Sequence, residues 1–154
     1  MIEFRGERVL ELPLHFAAAK LSDASFLVRG IPNSEVVGQP SATLAQCVVA
    51  PNLAFAKGKL ETKIEVAEAV PLASVRYVIA SKGVGAHAEV ELRVLFSASD
   101  KSTRVEWTAA ITKLGGLLKM VPSGLIRGAA GKVLDDILDS VATRLSAESA
   151  QGVP

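Results

Sequence analysis

A chain of 154 residues fits one domain. Its 17 Lys and Arg against 16 Asp and Glu leave a net charge of +1, which removes the basic excess that a nucleic-acid binder gathers on one face. With 49% hydrophobic and 21% charged residues the chain can bury a core, and its single cysteine, Cys47, can form neither an internal disulfide nor a zinc site.

Residues 3–11 alternate and predict a first strand, with Arg8-Val9-Leu10 out of step and read as a bulge near Gly6. Two short helices follow at 14–21 and 23–29, the second with Ser22 as N-cap and Gly30 just past its end. Residues 41–49 form a weak strand, closed by Pro51-Asn52. The cleanest alternation runs over 59–68, where Leu60, Thr62, Ile64 and Val66 oppose Lys59, Glu61, Lys63 and Glu65. Val75, Tyr77 and Ile79 mark the next strand. In 87–96, Ala88, Val90, Leu92, Val94 and Phe96 oppose His87, Glu89, Glu91 and Arg93. In 103–111, Val105, Trp107, Ala109 and Ile111 oppose Arg104, Glu106 and Thr108. The turns are Ser81–Gly85 and Ala98–Ser102. A long helix is predicted over residues 122–147, with Ile126, Ala129, Val133, Ile137, Val141 and Leu145 on one side. Asp135, Asp136, Asp139, Arg144 and Glu148 are its expected wet positions, and residues 149–154 an expected flexible tail.

None of the gaps between strands holds a crossover helix, so the sheet is expected to be antiparallel. One of its faces is charged, and only the last helix is long enough to cover the other. The expected fold is α+β: a curved antiparallel sheet of about six or seven strands around a long C-terminal helix, a helix-grip over residues 1–148, with two short helices after the first strand.

The sequence offers little chemistry. His15 and His87 read as solvated or locally hydrogen-bonded, Cys47 as a small buried hydrophobe, and the strand carboxylates as partners of neighbouring lysines and arginines. Ala56-Lys57-Gly58-Lys59 lacks the spacing of a phosphate loop, and Gly83-Val84-Gly85 precedes a strand where a nucleotide fingerprint precedes a helix. No catalytic residue, metal set or cofactor is assigned. The informative stretch is 114–131, LGGLLKMVPSGLIRGAAG, which is apolar, rich in glycine, and charged only at Lys119 and Arg127. Its small side chains admit two readings: close packing of helix on sheet, or a ligand cavity beneath a mobile apolar lid.

Several local motifs carry a resemblance. Phe4-Arg5-Gly6 with Leu12-Pro13 is similar to an opening strand that runs into a short helix. Leu21-Ser22-Asp23 through Gly30-Ile31-Pro32-Asn33 is similar to an "L-x-D … C-I-P-G" segment, with Asn33 where glycine is common. Phe55-Ala56-Lys57-Gly58-Lys59, Ser81–Gly85 and Gly115-Gly116 leading into the long helix complete the set. Over residues 2–147 the chain resembles the START-like (SRPBCC, birch-pollen-allergen-like) superfamily, and within it the G-subunit proteins of carbon monoxide dehydrogenase. Phe16 and alanines stand where the first helix of those proteins often has tryptophan. Many of them continue into a membrane-anchoring tail, which is not expected here because the chain stops at Pro154.

The leading expectation is a non-catalytic carrier of a hydrophobic small molecule. Its expected walls are Leu60, Ile64, Tyr77, Ile79, Val90, Leu92, Val105 and Trp107, closed by Met120, Leu125, Ile126 and Ala129. The resemblance implies a quinone or lipid-like ligand and an accessory role beside a CO dehydrogenase-type molybdenum and flavin enzyme. The alternatives are a START-like enzyme of polyketide cyclase or hydrolase type, and a packed protein-interaction module without a ligand. The first residues carry no signal peptide and no apolar run is long enough to span a membrane, so the expected location is cytoplasmic. Leu117-Leu118-Lys119-Met120 is expected to touch a membrane surface peripherally.

Overall fold

Strand alternation and sheet register together fix which side chains face the interior. The structure, a computed structural model, describes residues 2–50, 58–83 and 85–152, for 149–152 the backbone only. The joint at Pro51-Asn52, the Phe55-Ala56-Lys57 motif, Val84 of the turn and the last two tail residues lie outside these. The strands are β1 (Ile2–Leu10), β2 (Ser34–Val37), β3 (Leu44–Val49), β4 (Leu60–Val70), β5 (Ser74–Gly83), β6 (Ala86–Ser99) and β7 (Ser102–Gly116). They form one seven-stranded antiparallel sheet in the order β1-β7-β6-β5-β4-β3-β2. The helices are α1 (Leu14–Leu21), α2 (Ala24–Arg29) and α3 (Ser123–Gly152), with a 3-10 turn at Leu117–Met120. The curved sheet around a long C-terminal helix is the architecture the alternation predicted, and α3 runs five residues beyond its predicted end.

The sheet bends where its ladders slip. The β4–β5 register shifts between Val66 and Glu68, and the β6–β7 register between Glu89 and Val90. One extra residue on one strand locally increases twist and turns the sheet. The expected bulge near Gly6 is absent, because β1 pairs with β7 without a slip from Ile2–Ile111 to Leu10–Thr103. Arg8 breaks the alternation for another reason. It lies on the inner face, and its Nη1 meets Asp139 Oδ1 of α3 at 2.6 Å, while Val9 points outward, 56% exposed. Gly6 in turn faces Trp107 across the ladder, and a Cβ there would sit 2.6 Å from the indole Cζ2. The ring occupies the space a side chain would need, and Phe4 packs edge-on against it at 5.9 Å.

The two short helices plug one end of the sheet. Asp23, and not Ser22, caps α2: its carboxylate accepts from the Ser25 backbone N–H at 2.9 Å, while Ser22 closes α1. Tyr77 Oη donates to the Leu21 carbonyl at 2.7 Å and Thr103 Oγ1 to the Leu12 carbonyl at 2.8 Å, so two buried hydroxyls bind α1 and the link that leads into it to the sheet. The far end of α3 is tied down in the same region. Val141 and Leu145 are buried, and Lys20 Nζ lies 3.4 Å from Glu148 Oε1. Arg144 is half-buried where the sequence predicted a wet residue. Its guanidinium stacks 4.1 Å from the Phe26 ring centre and donates to the Phe26 carbonyl at 2.7 Å.

Candidate functional site

The middle of α3, between the buried Ile126 and Val141, stands off from the sheet and leaves an apolar cavity of about 260 Å³ beneath it. The sheet supplies Leu60, Thr62 and Ile64 from β4, Tyr77, Ile79 and Ser81 from β5, Val90, Leu92 and Val94 from β6, and Val105 and Trp107 from β7. The helix supplies Ala130, Val133, Leu134, Ile137 and Leu138, and Leu21, Leu27, Ile31, Phe4 and Val49 complete the rim. Val133 is both a lining residue and 37% exposed, so the cavity reaches solvent along the helix. Among the described residues none of the lining side chains is charged.

All eight sheet positions named from the alternation lie together on this wall. The four expected closing residues do not: Met120 and Leu125 are 83% and 60% exposed, Ile126 is buried away from the lining, and Ala129 is half-buried beside it. The chain spends Leu117–Met120 on a 3-10 turn at the end of the sheet, held by the Leu117 N–H donating to the Gly85 carbonyl at 2.7 Å. The helix side of the cavity lining therefore begins only at Ala130. Side chains lean back toward the helix N-terminus, which carries the lining set further along the chain than its Cα positions suggest.

The glycines of α3 separate the two readings of its small residues. A Cβ at Gly124, Gly128 or Gly131 would meet nothing within 4 Å. Close packing does not require them. They weaken the helix over the cavity by roughly 1 kcal/mol per interior glycine relative to alanine.

A larger depression of about 610 Å³ lies on the outer face of the sheet, lined by His87, Lys63, Lys82 and Lys113 with Glu61 and Glu89. Lys82 and Lys113 stand 3.9 and 3.6 Å from Glu61 and Glu89. It is an open trough of mostly paired surface charge, so the smaller apolar cavity is the better binding site. His15 is exposed on α1 and His87 on the outer face, neither reaching the cavity. Cys47 is buried, and burial pushes its thiol above the ordinary range, away from nucleophilic character.

Tyr77 is the one titratable lining group in the cavity among the described residues, and its proton is committed to Leu21. Burial, with the Asp23 carboxylate adding, pushes the phenol far above its ordinary value. A raised folded-state value contributes stability that is full below the unfolded value near ~10 and is lost as pH rises beyond it. Tyr77→Phe is expected to cost about 1–2 kcal/mol at neutral pH by stranding the Leu21 carbonyl. It should also flatten the alkaline decline. Urea melts of both proteins from about pH 8 to 11.5 check this, and parallel declines would reject it.

Solved structures share the fold. A conserved protein from Geobacillus kaustophilus superposes with a TM-score of 0.84 at 18% identity, covering 96% of this chain and 97% of that one. A START superfamily protein from Mycobacterium smegmatis gives 0.71 at 10% identity over 96% and 99%, and a protein from Chromobacterium violaceum 0.66 at 15% over 93% and 96%. No curated protein matches the sequence. Among the described residues no helix is long and apolar enough to cross a membrane. The sequence model of one family covers residues 15–146, most of the chain and all of the cavity walls except Phe4. The chain belongs to the CoxG family, that of the carbon monoxide dehydrogenase G subunit.

Proposed function

We propose that this protein is a non-catalytic carrier of a hydrophobic small molecule, a quinone or lipid-like compound, serving a CO dehydrogenase-type enzyme. The cavity carries the reading: apolar walls, no charged lining side chain among the described residues, and a covering helix whose middle is only half-buried. At about 260 Å³ it lies just under the ~300–1,000 Å³ range of small-molecule sites, and the standing-off helix gives it room to widen. Catalysis finds less support, because a titratable group poised in the cavity is what an acid–base site needs and the Tyr77 phenol is held far from neutral titration. Family membership supports the accessory role. Exposed Leu117, Met120 and Leu125 beside Lys119 and Arg127 support loading at an anionic membrane surface.

One experiment tests carrier and loading together. The protein is incubated with quinone-bearing phosphatidylcholine vesicles, with and without phosphatidylglycerol, separated from them by gel filtration and extracted. Quinone is expected in the protein fraction, sooner from the anionic vesicles. Ala130→Phe, which puts a ring into the cavity from a half-buried helix position, should lower the captured amount at least tenfold with little change in melting temperature. Absence of quinone from the wild-type fraction under both conditions would reject the carrier.

A further inference from the structure

The polar groups of the cavity concentrate at one level of the sheet. Thr62 and Ser81 are register partners on β4 and β5, both turned inward, with Cys47 beside Thr62 on β3 and Ala88 beside Ser81 on β6. Each of these neighbours is small. Thr62 Oγ1 and Ser81 Oγ lie 2.9 Å apart. Two hydroxyls hold two protons and four lone pairs, and the bond between them uses one of each. One O–H remains without a protein acceptor among the described residues. The third hydroxyl of the lining, Tyr77, already donates to Leu21.

We infer that the Thr62–Ser81 pair is the polar anchor of the cavity, offering a single O–H to a neutral carbonyl, ether or hydroxyl oxygen on an otherwise apolar ligand. The inference rests on the carrier reading and adds a specificity to it. An ionised head group is refused, because no lining side chain among the described residues could neutralise it and an unpaired charge in such a wall is far more costly than a neutral oxygen. A plain hydrocarbon fits but leaves the O–H unanswered. Either hydroxyl can play the donor, since each can turn its proton outward once the other accepts or is gone.

That interchangeability gives the test its signature. Binding of n-nonane, 2-nonanone and nonanoate at about pH 8 is followed through the fluorescence of Trp107, which lines the cavity. In the wild type the hydrogen bond offsets the ketone's lost hydration, which sets a reference ketone-to-alkane affinity ratio, and the carboxylate should bind more weakly than either. Thr62→Val and Ser81→Ala singly should keep the wild-type ratio, since one donor survives. The double variant should lower that ratio about tenfold or more, because the ketone oxygen then leaves water with no donor to meet it, while alkane binding persists. If the double variant does not melt cooperatively, Thr62→Val/Ser81→Cys, with its weak thiol donor, replaces it. A ketone-to-alkane ratio unchanged in the double variant overturns the anchor and leaves the carrier standing. Failure of all three probes to bind the wild type overturns the carrier reading and the anchor with it.

Discussion

Leu145→Ala is expected to remove about 3 kcal/mol of stability and lower the melting temperature by roughly 6–12 °C, whereas Val133→Ala twelve residues earlier on the same helix should cost under about 1 kcal/mol. Leu145 is fully buried and Val133 is 37% exposed. Truncating Leu145 removes contacts on every side and leaves a void that the surroundings fill only in part. Around it the end of α3 is further tied by Val141, by Arg144 on Phe26 and by the ion pair of Asp139 with Arg8. The ion pair is partly exposed and contributes at most ~1 kcal/mol, so the apolar anchor dominates. Paired thermal and urea melts decide the matter. Equal losses at both positions would mean that the helix is clamped evenly along its length, and the standing-off middle would not be the looser part.

Gly128→Ala/Gly131→Ala should move stability the other way, by about +2 kcal/mol. Alanine is better than glycine by roughly 1 kcal/mol in a helix interior, and neither new methyl meets an atom within 4 Å. The gain belongs to the segment above the cavity. If ligand enters by local opening of that segment, the open population falls about thirtyfold and exchange slows in proportion. Amide hydrogen exchange over residues 124–134 and the dissociation rate of a bound probe report the two effects. Slower exchange without slower ligand release would place the entry elsewhere, and a loss of stability would show that the glycines support the helix. Gly6→Ala is the contrasting case: its methyl would collide with the Trp107 ring, so the same exchange of residues destabilises there.

The sheet side of the site was readable because period two leaves little choice. Once Thr62 and Ile64 face inward, so do Leu60 and the register partners Ile79 and Val90, whereas Ser81, read as the start of a turn, still belongs to β5, which runs to Gly83. The helix side was harder. Ala130, Leu134 and Leu138 form one row and Val133, Ile137 and Val141 the next, and a cavity between them and the sheet leaves most of both rows half-buried. Spacing identifies a stripe but not the point where the helix begins to line the cavity, which the turn at Leu117–Met120 decides. Arg8 misled for a related reason, since its inward charge finds Asp139 more than a hundred residues later in the chain. The edge strand β2 left no pattern of its own: Ser34–Val37 is short, largely exposed and paired to β3 alone. The α2 cap turned on one local bond, from the Ser25 N–H to the Asp23 carboxylate, which two adjacent capping residues cannot reveal by type.

The pairing of β1 with β7 also sets an order for synthesis. Ile2 finds Ile111, so the first strand made must wait for the last, while β4 to β7 can zip as successive hairpins as they emerge. At ~5–20 residues per second that wait is on the order of 5–20 s on the ribosome. Leu145, the anchor of the covering helix, arrives later still. During that interval the wall built to face a hydrophobic ligand faces water, and the nascent chain depends on chaperones or on speed to bring the helix down before another apolar surface does.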